Sequence, residues 1–288
     1  MDKTMVVQGR ETSHSDIELV RRLIRSNPSW NRTRISRELC ALWSWRSADG
    51  QVKDMACRSL LLKLEERGFI TLPDRQNHRP RGAQIAPIPL VPHDTDPVTG
   101  KLKALQPVTV EPLEGTSDLG LFKCLISEYH YLSYHAVGRN MAYMASDRHG
   151  RPLACLLFGS AAWKCAPRDA FIGWDAGRRE ANINLITNNT RFLVLPWVEV
   201  PNLASHVLGK VAGLISSDWE EKYGHPLHML ETFVERDRFA GTCYRAANWT
   251  RVGQTKGRSR NDTHFTMNVP VKDVYLYPLS KRFRENLC

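Results

Sequence analysis

The sequence lacks any hydrophobic run long enough to cross a membrane. Hydrophobic side chains make up 42% of its 288 residues, but no apolar stretch reaches the ~20 residues that a spanning helix needs. We therefore expect no membrane contact. The hydrophobic residues are numerous enough to build a sizeable core instead.

Paired cysteines are also lacking. Seven cysteines are scattered from Cys40 to Cys288, an odd number without a CxxC pair, which argues against a disulfide framework or a zinc site. His225 and His228 have no companions at metal-ligand spacing, so we expect no metal. No apolar signal segment precedes Thr12, and together these features predict a cytoplasmic protein with reduced thiols.

Acidic residues are too few to balance the basic ones. The chain has 40 Lys and Arg against 30 Asp and Glu, a formal net charge of +10, with a pI near 9.4. An excess of this size favours an anionic partner, and we expect DNA or another nucleic acid. A basic surface without a specific partner is the alternative.

The chain divides into three segments of different character. Residues 1–76 are helical and basic, residues 77–112 are rich in proline and are typical of a linker, and residues 113–288 alternate apolar runs with helical patterns. The predicted fold class is α+β, a small helical domain followed by a mixed-sheet α/β domain. In the third segment the patterns predict helices over 119–129, 175–184, 203–215 and 240–248, and extended segments over 140–146, 151–158, 171–174, 191–198 and 226–234.

The first segment predicts a winged helix-turn-helix. Apolar residues at helical spacing indicate helices over 16–25, 31–42 and 53–67, the first capped by Ser15. Gly68 then ends the third helix, and residues 69–72 predict the first wing strand. The phrase from Arg58 to Leu72 resembles the recognition helix and wing of bacterial regulators of that class.

That resemblance implies which basic residues contact DNA. The third helix, with Arg58 and Lys63, would enter the major groove. The arginines of the wing would contact phosphates; these are Arg75, Arg79 and Arg81. The alternative is a winged helix that contacts only proteins.

The third segment resembles the GNAT N-acetyltransferase fold. The turn Asp147-Arg-His-Gly150 matches the usual turn between the second and third strands of that fold, and the phrase from Tyr244 to Gly253 looks like Tyr-x-x-x-Gly-Phe-x-x-x-Gly near its C-terminus. The resemblance implies an acyltransferase-like topology, with Tyr244 in the position of a general acid. Residues 201–209 lack the close-approach glycines that hold a cofactor pyrophosphate there, so the cofactor is left unassigned.

A closer resemblance covers nearly the whole chain. The phrases at residues 53–68, 156–163, 188–197, 231–234 and 242–249 look like the family typified by the DruA component of Druantia antiphage systems. Relatives of that family also occur with insertion sequences. The resemblance implies a role in phage defence or with a mobile element, with other defence-system proteins as candidate partners.

Glu231 is the leading catalytic candidate. It is the one acid within the apolar run 226–234, and a carboxylate there needs a partner or a task such as general base. Strand alternation places it on one face with Met229 and Phe233. An ion pair with Arg191 or Arg245 is the structural alternative.

His130 belongs to an aromatic cluster with Tyr129, Tyr131 and Tyr134. These side chains are suited to stacking on bases or to acid–base work beside Glu231, and tyrosines that cap the core are the alternative. Arg191 ends the polar run from Asn188, which suits a phosphate or a base edge, or a plain turn.

A basic segment near the C-terminus predicts backbone contacts to nucleic acid. It contains Arg251, Lys256, Arg258 and Arg260 without an acid. A solvated basic loop is the alternative.

Two main hypotheses follow. In the first, an enzyme acts on nucleic acid with Glu231 as base, Tyr244 as acid and His130 as auxiliary. In the second, a non-catalytic module brings partner proteins to DNA. A weaker third alternative is a two-metal nuclease or transposase that uses Asp147, Asp175 and Glu231.

Overall fold

The computed structural model describes residues 5–7, 10–47, 50–74, 88–257 and 269–288. The chain forms two compact units, Met1–Ile85 and Ala86–Cys288. The first is mainly helical and the second is built on a large mixed sheet, so the α+β class is confirmed.

The N-terminal unit consists of a short hairpin and three helices. Its elements are β1 (Met5–Val7), β2 (Arg10–Thr12), α1 (His14–Ser26), α2 (Arg32–Leu42) and α3 (Asp54–Glu66). The three helices lie where the apolar periodicity predicts them. The predicted cap at Ser15 is wrong, because Ser13 forms the capping box with Asp16 and the helix begins two residues earlier.

The wing strand predicted over residues 69–72 is wrong. This segment forms no ladder with any described residue; instead Ile70 is buried and the backbone N–H of Leu72 donates to Glu65 Oε1 at 2.9 Å. A side chain of α3 therefore satisfies this backbone group.

The winged-helix assignment stays a prediction. The strand that would begin the wing is absent from residues 69–72. The three arginines that were expected to contact phosphates from the wing lie outside the described residues. These are Arg75, Arg79 and Arg81.

The C-terminal unit contains nine strands and seven α-helices among its described residues. The strands are β3 (Val98–Thr99), β4 (Thr109–Pro112), β5 (Asn140–Ser146), β6 (Pro152–Ser160), β7 (Ile186–Val194), β8 (Val198–Glu199), β9 (Met229–Glu235), β10 (Thr250–Gln254) and β11 (Lys272–Pro278). The helices are α4 (Leu102–Leu105), α5 (Leu119–Tyr129), α6 (Ala166–Ile172), α7 (Ala176–Asn182), α8 (Leu203–Tyr223), α9 (Thr242–Ala246) and α10 (Phe283–Leu287).

Seven of these strands form one sheet in the order β10-β11-β9-β7-β6-β5-β4. All neighbours in it are antiparallel except β7 and β9, which run parallel. The long helix α8 connects those two strands, as a parallel pair requires. The short strands β3 and β8 form a separate parallel pair.

Part of the predicted linker belongs to this unit. Strand β4 is an edge strand of the sheet, and Val108 and Val110 are buried in the core. The prolines of this segment flank short strands instead of forming a spacer, so the linker prediction is wrong for residues 98–112. Residues 77–87 lie outside the described part of the chain.

Two further predictions need correction. Residues 171–174, expected to be extended, lie at the end of α6, which Gly173 terminates in a left-handed conformation with φ 94°. The strand predicted over 191–198 is displaced, because β7 begins at Ile186. The polar residues from Asn188 to Thr190 lie within the strand beside a bulge. Asn189 Nδ2 and Thr190 Oγ1 donate to backbone oxygens, whereas the buried Asn188 Oδ1 has no hydrogen-bond partner among the described residues.

Candidate functional site

The parallel strands β7 and β9 pair at their beginning and then separate. Residues 186–188 pair with residues 229–231, although both strands continue beyond that point. A cavity of about 710 Å³ opens between them. Carboxyl ends of parallel strands are the usual ligand-binding position in α/β sheets, so this cavity is the candidate functional site.

The end of α5, the strands β7 and β9, and the segment before α9 supply the cavity walls. The residues with polar or aromatic side chains in the lining are Tyr129, His130, Tyr131, Asn188, Asn189, Thr190, Arg191, Phe192, Thr232, Phe233, Glu235, Phe239, Thr242, Cys243, Tyr244 and Lys272. Two of the three predicted catalytic residues, His130 and Tyr244, lie here, and so does Arg191.

Arg191 is a half-buried cation without a carboxylate partner among the described residues. Its guanidinium donates to the backbone oxygens of Ser133 at 2.7 Å, Thr190 at 2.8 Å and Leu132 at 3.3 Å. Burial lowers the pKa of Arg191. Since a guanidinium has five N–H donors and these bonds use three, it retains donors for an anionic ligand. The predicted ion pair with Glu231 is not formed.

His130 ends α5 beside Arg191. Burial, with a smaller contribution from the Arg191 charge, lowers the pKa of His130 to about 4, so the ring is neutral at pH 7. The backbone N–H of Leu132 donates to His130 Nδ1 at 3.2 Å, which assigns the proton to Nε2. His130 is therefore a hydrogen-bond donor, and not the base that acid–base work beside Glu231 would require.

Replacing Arg191 with methionine is expected to raise the pKa of His130 toward its ordinary value, because a nearby positive charge is removed. NMR titration of the imidazole measures this shift. In the wild-type chain, His130 is protonated below about pH 6.5 in the unfolded state but only below about pH 4 in the native state. The native state therefore loses stability relative to the unfolded state as the pH falls from 6.5 to 4. A His130 pKa unchanged by the substitution would contradict the electrostatic coupling.

Tyr244 forms a buried hydrogen bond at the base of the cavity. Its hydroxyl donates to Asn189 Oδ1 at 2.7 Å, while Asn189 Nδ2 donates to the backbone oxygens of Arg191 at 3.0 Å and Leu157 at 3.3 Å. These bonds fix the orientation of the amide. Burial raises the pKa of Tyr244, so the phenol stays protonated at neutral pH.

The cavity mouth is aromatic and charged. Tyr131 stacks on His130 with 4.9 Å between ring centroids and packs against Phe239 at 5.5 Å. The guanidinium of Arg238 lies 4.6 Å from the centre of the Tyr131 ring and pairs with Glu235 at 3.4 Å. Glu235 is the acidic residue of the described lining. Such flat, cationic surroundings suit a ring that carries a negative group.

Glu231 lies away from this cavity. It is 0% exposed, and its Oε2 accepts from Arg168 Nη1 at 2.9 Å while its Oε1 accepts from the backbone N–H of Ala162 at 2.6 Å. Burial raises the pKa of Glu231, against the opposing effects of Arg168 and this N–H. The acid is buried as predicted, but its partner is Arg168 and not Arg191 or Arg245.

The predicted pairing of Glu231 with Tyr244 is wrong. Met229 packs in the cluster that contains Ile172 and Phe283, whereas Leu230 packs in the main core with Tyr244. Because side chains alternate along a strand, Glu231 faces the same side as Met229. The sheet therefore separates the carboxylate from the phenol, and no proton can pass directly between them.

Some of the other residues predicted to contact nucleic acid already form ion pairs within the protein. Arg58 pairs with Asp54 at 2.7 Å and Arg251 with Asp273 at 2.8 Å, whereas Lys63 and Lys256 are exposed. Arg251 lies within β10, so the basic segment does not begin as a loop. The remaining predicted contacts lie outside the described residues; these are Arg75, Arg79, Arg81, Arg258 and Arg260.

The two-metal alternative is not supported by the positions of its acids. Asp147 accepts from Arg151 at 3.0 Å and Asp175 caps α7, while Glu231 is held by Arg168. The described residues contain no group of three or more histidine, cysteine or acidic side chains that could hold a metal ion.

Sequence reasoning missed Arg168, Glu235, Phe239 and Lys272. Arg168 lies on α6, for which no helix was predicted and of which only the end was covered by the extended segment expected over 171–174, so no pattern pointed to it. Glu235 is the last residue of the apolar strand β9 and Phe239 follows it, and that position alone could have identified them.

Two solved acetyltransferase structures are similar to part of this chain. Spermidine N-acetyltransferase from Vibrio cholerae, in complex with CoA and spermine, is 12% identical with a TM-score of 0.39, covering 60% of this chain and 96% of that one. The ribosomal-protein-S18-alanine N-acetyltransferase from Escherichia coli is 14% identical with a TM-score of 0.38, covering 60% and 94%. None of the curated proteins matches the chain.

The family model of the Druantia protein DruA matches residues 91–269. The chain belongs to that family, as its sequence phrases predict. In the described part of the chain, every helix is too short or too polar to span a membrane.

Proposed function

We propose that this chain is a nucleic-acid-binding component of an antiphage defence system, and that its C-terminal unit modifies a ligand held between β7 and β9. The single observation that carries the proposal is Arg191 in the cavity, a half-buried cation bonded only to carbonyl oxygens. Membership of the Druantia protein DruA family supports the defence role. The net charge of +10 supports an anionic partner.

The cavity suits a nucleotide unit as its ligand. Arg191 would hold a phosphate or carboxylate through two N–H bonds, and Tyr131 and Phe239 would stack on a flat ring. His130 would donate from Nε2 to a carbonyl oxygen, as a neutral donor does where charge develops. Glu235, at the mouth, takes the role of base that the sequence assigned to Glu231.

Loss of the Arg191 charge is expected to weaken ligand binding. Titration calorimetry of the full chain with deoxynucleoside monophosphates, and separately with acetyl-CoA, should detect binding of at least one probe. Arg191→Leu should raise its Kd by about 10- to 100-fold, since a charge-assisted hydrogen bond contributes ~1.5–3 kcal/mol. Arg191→Lys should retain part of the affinity.

Arg148 provides a matched control, because it also donates to a backbone oxygen, that of Ala104 at 2.6 Å, but does not line the cavity. Arg148→Leu should bind the probe like the wild type. Equal affinities of Arg191→Leu and wild type, with both folded, would rule out the cavity as an anion site. Mass spectrometry of nucleosides from DNA incubated with the chain then tests for modification.

The second candidate is a non-catalytic module that recruits partner proteins to DNA. The segment before α8 favours it: Asn202 precedes that helix in a left-handed conformation with φ 64° and provides no side-chain cap. No glycine lies there to let a pyrophosphate approach the backbone. This alternative predicts that Glu235→Gln, Tyr244→Phe and Arg191→Leu all leave phage protection intact in plaque assays of the complete system.

A further inference from the structure

The strongest concentration of positive charge in the described residues lies on the first two helices. Residues 19–37 contain six arginines and no acidic residue; these are Arg21, Arg22, Arg25, Arg32, Arg34 and Arg37. The segment covers the second half of α1, the connecting turn and the first half of α2. We call it the arginine segment.

The apolar residues of the same helices explain why the arginines face outward. Val20, Ile35 and Leu39 are 0% exposed and form the core of the unit with α3. Because helical side chains three and four positions apart share a face, these residues turn Arg22, Arg25, Arg34 and Arg37 toward solvent, and all four are exposed.

Few of these charges are neutralised within the unit. Arg21 is bound to Glu18 at 2.7 Å and to the backbone oxygen of Phe69, and Arg37 approaches Asp54 only at 3.8 Å. Arg34 lies over the Trp30 ring at 4.6 Å, a contact that leaves its charge intact. Arg22, Arg25 and Arg34 have no carboxylate partner among the described residues.

The third helix presents a different surface. Its outward positions include Met55, 66% exposed, and Leu62, 39% exposed. It carries two basic residues against three acidic ones, Asp54, Glu65 and Glu66, and the basic Arg58 is already paired. Acidic residues therefore outnumber basic ones on this helix, which disfavours contacts with phosphates.

We infer that the N-terminal unit holds the phosphate backbone of double-stranded DNA on the arginine segment, and not on α3. The inference rests on the nucleic-acid binding proposed above and specifies its surface. Contacts of this kind are independent of sequence and release counterions from the DNA. Binding should therefore be salt-sensitive and tolerant of the duplex sequence.

Charge reversal on the two surfaces separates these possibilities. Binding to a labelled DNA duplex is measured by fluorescence anisotropy at several salt concentrations. Three proteins are compared: the full chain, the arginine-segment variant Arg22→Glu with Arg34→Glu, and a control variant. The control is Lys63→Glu with Arg67→Glu, at one residue on α3 and one directly after it. Both double variants change the net charge equally. Circular dichroism verifies that each is folded.

The arginine-segment variant should lose about two phosphate contacts, lowering the slope of log Kd against log salt by ~1.8 and weakening binding at low salt at least about tenfold. The control should bind within about twofold of wild type. Equal or greater loss in the control would overturn the inference, as would tighter binding of duplex RNA. If the wild-type chain binds no nucleic acid at low salt, the proposed function itself fails. If the wild-type chain binds DNA and the arginine-segment variant binds it equally well, the inference alone fails.

Discussion

Replacing Glu231 with alanine is expected to lower the free energy of unfolding by about 3–5 kcal/mol, because the buried guanidinium of Arg168 loses one of its two carboxylate partners and the backbone N–H of Ala162 loses its acceptor. The remaining partner, Arg168, is 0% exposed and cannot reach water. It retains bonds to Asp169 at 2.8 Å and to the backbone oxygen of Ala162 at 2.7 Å, so the loss should fall short of complete unfolding. Urea unfolding of the full chain measures the change.

A double replacement distinguishes a structural pair from a catalytic acid. Glu231→Leu with Arg168→Met removes both charges and should cost less than either single change, since apolar residues can replace a buried pair at little cost. Glu220, exposed on α8, provides a control whose replacement by alanine should stay within about 0.5 kcal/mol. A Glu231→Ala variant of wild-type stability that fails to protect against phage would contradict the structural role.

The burial of Glu231 could be predicted, but its environment could not. One acid in an apolar strand has to be buried, and strand periodicity assigns it a face. Periodicity does not reveal which layer covers that face, however. Its partner comes from α6, a short helix that begins with Ala-Pro and whose apolar residues were consistent with a strand.

The cavity depends on a pairing that no local pattern contains. The residues 186–188 and 229–231 are brought together across α8, and the later divergence of β7 and β9 is a property of the whole sheet. The sequence did predict a polar run near Asn188 and an aromatic cluster near His130. That these two lie on one cavity wall follows only from the three-dimensional order of the strands.

In the N-terminal unit the secondary structure could be predicted from the sequence, but the functional surface could not. Apolar spacing predicts α1, α2 and α3 within two residues at each end, because local periodicity determines them. The functional surface was assigned from a class resemblance, which favours α3. Side-chain exposure and ion pairing, which sequence does not supply, instead favour the arginines of α1 and α2.

Two tyrosines at the base of the cavity are expected to respond in opposite ways to the loss of their hydroxyl groups, as measured by the stability of the native state. Tyr244 and Tyr275 stack with 5.9 Å between ring centroids, and both are largely buried. The Tyr244 hydroxyl donates to Asn189 Oδ1, whereas the buried Tyr275 hydroxyl has no hydrogen-bond partner in the described part of the chain. Replacing either residue with phenylalanine keeps the ring and removes only the hydroxyl, so each variant is the control for the other.

Tyr244→Phe should destabilise the native state by ~1–3 kcal/mol, because Asn189 Oδ1 is left as a buried acceptor without a donor. Tyr275→Phe should be neutral or slightly stabilising, since it removes a buried polar group that gains nothing from its surroundings. Urea unfolding of the two variants, measured side by side, gives the difference directly. If Tyr275→Phe lowers the free energy of unfolding as much as Tyr244→Phe does, then the Tyr275 hydroxyl has a bound partner. The base of the cavity then extends toward Gly241, whose backbone lies against that hydroxyl. If Tyr244→Phe instead keeps full stability but abolishes phage protection, then the phenol acts on the ligand, as a general acid in the cavity would.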